Sequence, residues 1–169
     1  MSSRLNMNLR EDKHWAYGSY SGASNTLGQR PWIASAAVQS DKTVESIKEL
    51  RREVTEFASG TKPATANEVE KIRATNTLSL PGAYETGSAV LSQVASNLRY
   101  GRPMDYVVRF AERNREMTPA MVTEAAKRID PNTLTWVVVG DLPKIEAGVR
   151  ELGLGEVKVV DADGKPVAK

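Results

Sequence analysis

At 169 residues, with 40% hydrophobic and 26% charged residues, the chain is long enough to bury a core and too apolar for a disordered segment; it favours one domain. Its 23 basic and 21 acidic residues are interspersed and sum to +2, which offers no basic face to nucleic acid, and the lack of cysteine excludes disulfides and thiolate metal sites. No apolar run approaches the roughly 18 residues a membrane helix needs, so no membrane span is expected.

The first predicted element is a short helix, capped by Ser2 or Ser3, with Leu5 and Leu9 on one face and its end near Lys13. Its opening, MSSRLNMNLRED, has no apolar stretch after its charge and does not read as a signal peptide; an export signal would lie upstream. Residues 16–24 and 32–39 read as strands. The polar NTLGQR connection and Pro31 between them predict an antiparallel pair. Asp41 is the expected N-cap of a long helix with an apolar stripe of Val44, Ile47, Leu50, Val54 and Phe57, closed by Gly60.

Thr65 and Glu68 have capping-box spacing and open a helix carrying Val69, Ile72 and Leu78, which stops before Pro81. A further helix is expected over about 83–99, with Val90, Leu91, Val94 and Leu98 as its apolar face and Gly101 and Pro103 after it. A shorter helix follows over about 104–114. Thr118-Pro119 then starts another, with Met121, Val122, Ala125 and Ile129, ending at Asp130-Pro131. Residues 133–140, TLTWVVVG, read as an apolar strand, covered on both faces or central in its sheet. A helix near 142–152, a strand near 156–160 and a flexible tail over 162–169 complete the order. Strands and helices are segregated, which predicts an α+β fold, with helices on one face of an antiparallel or mixed sheet.

The chemistry that is missing narrows the function. His14 is the only histidine. A catalytic zinc site takes about three protein ligands, most often with two histidines, so no metal site is expected here. Nothing resembles a nucleophile elbow, a phosphate-binding loop or a dinucleotide fingerprint. The GLG at 153–155 is read as a turn after a helix.

The segment SRLNMNLREDKHWAYG (3–18) resembles the C-terminal, non-zinc-binding half of the M16 (insulinase/pitrilysin-like) metallopeptidases, in a pattern like L-R-E-x-x-x-x-A-Y that places Arg10 and Tyr17 at the family's arginine and tyrosine positions. The order of later segments agrees, through LRYGRPMDYVVRF to MTPAMVTEAAKRIDPNTLTWVVVGD. The resemblance implies a LuxS/MPP-like metallohydrolase domain, here as residues 1–161 and lacking the strands and helix that precede the Arg/Tyr segment in the family. It implies that zinc and a water-activating glutamate belong to a partner domain or subunit carrying the inverted HxxEH motif. The substrate would be an extended peptide, and Arg10 and Tyr17 would bind it, Tyr17 also stabilising the oxyanion. A bacterial parent would make periplasm or cell envelope the expected compartment. The alternative is a non-catalytic structural homologue acting as an assembly subunit.

The residues themselves leave simpler readings open. An arginine in the last turn of a helix favours the helix dipole, and Tyr17 could be half-buried on a strand. On a regular strand Tyr20 faces away from Tyr17 and packs. His14 reads as exposed or structural. Lys48, Arg51 and Arg52 read as the solvated face of a helix, with a basic binding patch as the weaker reading.

Overall fold

The computed structural model describes residues 3–167, so the alternative cap Ser2 and the last two residues of the expected tail lie outside the described residues. The fold is α+β, as the segregation of elements predicted. Helix α1 (Arg4–Asn6) continues as a π-helical turn, Met7–Asp12, and leads into β1 (Ala16–Ala23) and β2 (Trp32–Val38), which pair as a two-stranded sheet. A 3-10 turn (Ser40–Lys42) precedes α2 (Thr43–Ala58); α3 (Ala66–Leu78), α4 (Leu80–Ala83), α5 (Gly87–Arg99), α6 (Tyr106–Glu116), α7 (Pro119–Ala126) and α8 (Leu142–Glu151) follow. No helix among the described residues is long and apolar enough to cross a membrane.

The chain divides into two compact units. The first comprises Met1–Gly22, Ile33–Glu53 and Leu134–Lys169. Its core holds Leu5, Leu9, Ile47 and Ile145, with Leu9 fully buried. Gly148 lets α8 approach the start of α2 closely: a Cβ there would stand 2.6 Å from Val44 Cγ2. The second unit comprises Ala23–Trp32 and Val54–Thr133, and its core holds Val54, Ala58, Val69, Ala111 and Ala126. There Asn76 of α3 donates to Asn114 Oδ1 of α6 at 2.7 Å, and Asn114 donates onward to the Phe110 carbonyl at 2.7 Å. Asn114 is buried and its amide is used at both ends, so the polar pair does not forfeit its hydration uncompensated.

Local signals held where a cap could be read. Thr65 Oγ1 accepts from Glu68 N–H while the Glu68 carboxylate accepts from Thr65 N–H, completing the capping box. Thr118 caps α7 with Pro119 in its first turn. Gly60, at φ +77°, ends the helix that begins at Thr43. Asp41 does not cap α2; it lies inside the 3-10 turn, which takes up the entry to the helix. Helix α7 ends at Ala126, so Ile129 lies beyond it.

Larger departures concern burial. The stretch expected as a covered strand over 133–140 is extended but unpaired: Val137 is 83% and Val139 94% exposed, and no hydrogen bond engages the backbone of 134–140 among the described residues. Its side chains alternate between half-buried Leu134, Trp136, Val138 and exposed Thr135, Val137, Val139. A buried strand needs partners along its edges and packed layers over its faces; here β1 and β2 form a two-stranded sheet that does not include this segment, and alternate side chains of it stay open. Likewise the strand expected near 156–160 is reduced to a single bridge, Val160 to Pro166, around a turn in which Asp161 Oδ1 accepts from the N–H groups of Asp163 and Lys165, each at 2.9 Å. On α5 the expected apolar face is exposed at Leu91 and Leu98, and Asn97 is the buried residue, held by Gln93 at 2.7 Å.

These burials predict a contrast in stability. Val139→Lys should change the unfolding free energy by no more than about 0.5 kcal/mol, as for an open surface site. Leu9→Ala should cost about 2–5 kcal/mol. Thr65→Ala should cost about 1 kcal/mol through the lost cap. Urea unfolding followed by circular dichroism reads all three, and a large loss in Val139→Lys would contradict the exposed placement.

Candidate functional site

The site begins with a helix wound too wide. Ser3 caps α1, accepting from Asn6 N–H at 3.4 Å and from the Asn6 amide at 2.9 Å. From Met7 the backbone adopts i→i−5 bonds, as in Lys13 N–H to Asn8 C=O at 3.1 Å. The buried positions are Leu5, Asn8 and Leu9, an α-helical spacing, but Asp12, which would continue the stripe, is exposed. The π turn therefore rotates the last residues out of the buried face, a local irregularity often found at functional sites.

The chain leaves that turn sharply. His14 sits at φ +56°, the left-handed region that a side chain adopts only at a cost, though histidine is found there more often than most residues. Trp15 N–H then bonds back to Leu9 C=O at 2.9 Å, and Gln39 N–H bonds Trp15 C=O at 2.9 Å, so the chain enters β1 already paired. His14 is exposed, and its carbonyl accepts from the Gln39 amide at 3.3 Å. It is the turn of the connection rather than a ligand.

This short route brings the two sequence-predicted residues together. Arg10 Cζ lies 5.7 Å from the centroid of the Tyr17 ring, within cation–π range. Arg10 Nε also lies 3.4 Å from Glu11 Oε1. Tyr17 is 90% exposed, so it is not the half-buried strand residue of the simpler reading. Tyr20 is exposed as well, against the expectation that it packs. The reason is a bulge: β1 takes nine steps from Trp15 to Ser24, while the opposing strand takes eight from Pro31 to Gln39, between the paired ends. One extra residue resets the alternation, so Tyr17 and Tyr20 need not lie on opposite faces.

Two asparagines that the sequence reading passed over fix this arrangement. Asn6 bonds both backbone groups of Ser19: its Nδ2 donates to Ser19 C=O at 3.0 Å, and its Oδ1 accepts from Ser19 N–H at 2.8 Å. A side-chain amide thus takes the place of a neighbouring strand on the edge of β1. Asn8 is buried and donates from Nδ2 to Glu49 Oε2 at 2.7 Å and Glu53 Oε1 at 2.8 Å, one turn apart on α2. Arg52 closes the cluster from the other side, with NH2 2.6 Å from Glu49 and 3.0 Å from Glu53. Asn8 Oδ1 is left buried without a hydrogen-bond partner, a cost set against two charge-assisted bonds from the same amide. Arg52 is therefore tied to carboxylates rather than standing with Lys48 and Arg51 as a basic patch.

The signals for this network were in the sequence, if faint. A polar Asn8 sits between Leu5 and Leu9 on the buried stripe, and Glu49 and Glu53 share a helix face four residues apart. Burial acts to raise the pKa of Glu49, but hydrogen bonds from Arg52 and Asn8 and the charges of Arg52 and Lys13 outweigh it. They hold the carboxyl below its ordinary value of 4.5. No group of three or more His, Cys, Asp and Glu side chains is placed to hold a metal among the described residues.

Comparison with known proteins agrees with the sequence resemblance. Residues 1–76, which contain α1, the π turn, β1, β2 and α2, match the family model described as peptidase M16 inactive domain. The fold is similar to the crystal structure of a peptidase M16 inactive domain from Pseudomonas fluorescens, at 18% sequence identity and a TM-score of 0.68, over 76% of this chain and 30% of that one. The chain thus spans about 30% of that protein's length, and at this identity the likeness is one of fold. No curated protein gives a significant match.

The lowered Glu49 pKa fixes the sign of a pH effect. A carboxyl depressed in the folded state stabilises the fold fully above its unfolded value, and that contribution is lost as pH falls through the folded value. Glu49→Gln should therefore flatten the acid side of the stability profile below about pH 4.5, relative to the parent. Urea midpoints across that range read the effect; identical acid limbs would remove Glu49 from the linkage. Asn6→Ala should cost about 1–3 kcal/mol, since it strips both partners from Ser19.

Proposed function

We propose, for a chain whose residues 1–76 match the peptidase M16 inactive-domain model, that it contributes Arg10 and Tyr17 to peptide hydrolysis at a zinc site held by a separate M16 domain or subunit. The observation that carries this reading is the exposed Tyr17 phenol beneath the Arg10 guanidinium, at 5.7 Å from ring to Cζ. Nothing in the unit's own packing requires a tyrosine at so exposed a position. A phenol there donates a hydrogen bond outward, while the guanidinium adds a fixed positive charge beside it.

Peptide hydrolysis builds negative charge on the scissile carbonyl oxygen. A donor already aimed at that oxygen loses no free energy to reorganisation when the charge appears, and one such donor is worth about 3–4 kcal/mol in low-dielectric sites. Tyr17 fits that role. Arg10 fits a substrate carbonyl or carboxylate further along an extended peptide, because its donors lie in one rigid plane. The arginine also limits the motion of the ring, and Asn6 holds the strand that carries it. On this reading the activation of water belongs to the zinc-bearing partner.

The test combines this chain with a zinc-bearing M16 partner and follows cleavage of a quenched fluorescent peptide. Tyr17→Phe should lower kcat by about 10²–10³-fold with little change in KM. Arg10→Ala should act mainly on KM. Cleavage that proceeds equally with both variants would leave the chain a scaffold for assembly and sink the catalytic reading.

A further inference from the structure

The connection between α5 and α6 builds a second cationic site, independent of Arg10 and Tyr17. Tyr100 ends α5, and Gly101, at φ +61°, turns the chain so that Arg102 N–H bonds back to Asn97 C=O at 2.8 Å. That turn inserts the Arg102 side chain between two rings: its Cζ lies 4.8 Å from the Tyr100 centroid and 4.5 Å from that of Tyr106. Arg99 Cζ lies 5.7 Å from the Tyr100 ring as well. The carboxylate nearest in sequence, Asp105, is taken by Arg109 at 2.9 Å. Among the described residues neither the Arg99 nor the Arg102 guanidinium has a carboxylate or hydrogen-bond acceptor of its own.

We propose that Arg99 and Arg102, held on Tyr100 and Tyr106, form a binding site for the carboxylates of an acidic peptide segment. A guanidinium stacked on a ring keeps all five N–H donors in its plane, and these match a carboxylate two at a time. Stacking also fixes the side chain before the ligand arrives, which lowers the ordering cost of binding. The Tyr100 hydroxyl donates to the Asn25 carbonyl at 3.0 Å, and Arg30 bonds the Asn25 side chain at 3.2 Å, so a third guanidinium is pinned close by. Leu98 and Met104, 67% and 62% exposed, flank the cluster in sequence. Charge with apolar neighbours fits carboxylates that alternate with apolar side chains. A chain with a net charge of only +2 has no extended basic field to follow a nucleic acid backbone.

The probe is a fluorescein-labelled synthetic peptide alternating glutamate and leucine, titrated with the full chain at low salt and read by anisotropy. The expected result is saturable binding that weakens about tenfold or more in Arg102→Ala, the size of one lost charge-assisted pair. Arg102→Lys, which keeps the charge without the fork, should not restore it, and Tyr106→Leu should weaken it by removing the stack. Circular dichroism establishes that each variant folds. Should Arg102→Ala unfold, Arg99→Gln, at an exposed position, gives the same readout. The proposal is overturned if the parent does not bind, if Arg102→Ala or the substitute Arg99→Gln binds as the parent does, or if a glutamine-for-glutamate peptide binds equally. Displacement by polyuridylate at matched charge would also overturn it, by marking a general polyanion surface.

Discussion

The first unit depends on side-chain amides standing in for backbone. Asn6 satisfies both polar groups of Ser19 on the edge of β1, and Asn8 joins the π turn to two carboxylates on α2. Without the first, an N–H and a C=O on a partly covered strand edge would lose their partners. Without the second, Glu49 and Glu53 would be left to Arg52 and, for Glu49, Lys13. A helix of three residues followed by a strained π turn has little intrinsic stability. Its position is set by these tertiary bonds and by the burial of Leu5 and Leu9.

That constraint explains why Arg10 and Tyr17 meet. They lie seven positions apart, and on a regular helix running into a regular strand the ring could point to either face. The π turn, the left-handed His14 and the bulge in β1 each shift the register, and their combined effect leaves the arginine over the ring. Irregular backbone at three places in so short a span is costly, and structure of this kind persists only where its surroundings over-determine it. The polar network behind it supplies that determination. The chemistry proposed for the pair thus rests on Asn6, Asn8 and their partners as well as on the pair itself.

The second unit is built differently. Its cap signals are strong, and a polar pair between helices, half-buried Asn76 with buried Asn114, is internally satisfied. Yet α5 turns Leu91 and Leu98 outward and buries Asn97. The apolar positions of α5 and the cationic turn that follows lie on one continuous piece of chain, so the carboxylate site has apolar neighbours by construction.

Sequence alone determined what is local. The caps at Ser3, Thr65 and Thr118, the stops at Gly60 and Gly101, the hairpin strands and the α+β class could all be read, because each depends on hydrogen bonds and dihedral preferences within a few residues. The identity of Arg10 and Tyr17 as the pair of interest came from their motif. Only the tertiary structure decided what was buried. Val137 and Val139 read as core but lie open, since coverage of a face needs another layer packed on it, which their own sequence cannot specify. Tyr20 faces solvent because a single extra residue in β1 resets the alternation. Asn6 and Asn8 looked like ordinary polar helix residues, and only their distant partners at Ser19, Glu49 and Glu53 make them the fasteners of the site. Long-range contact is the one quantity that spacing along a chain does not encode.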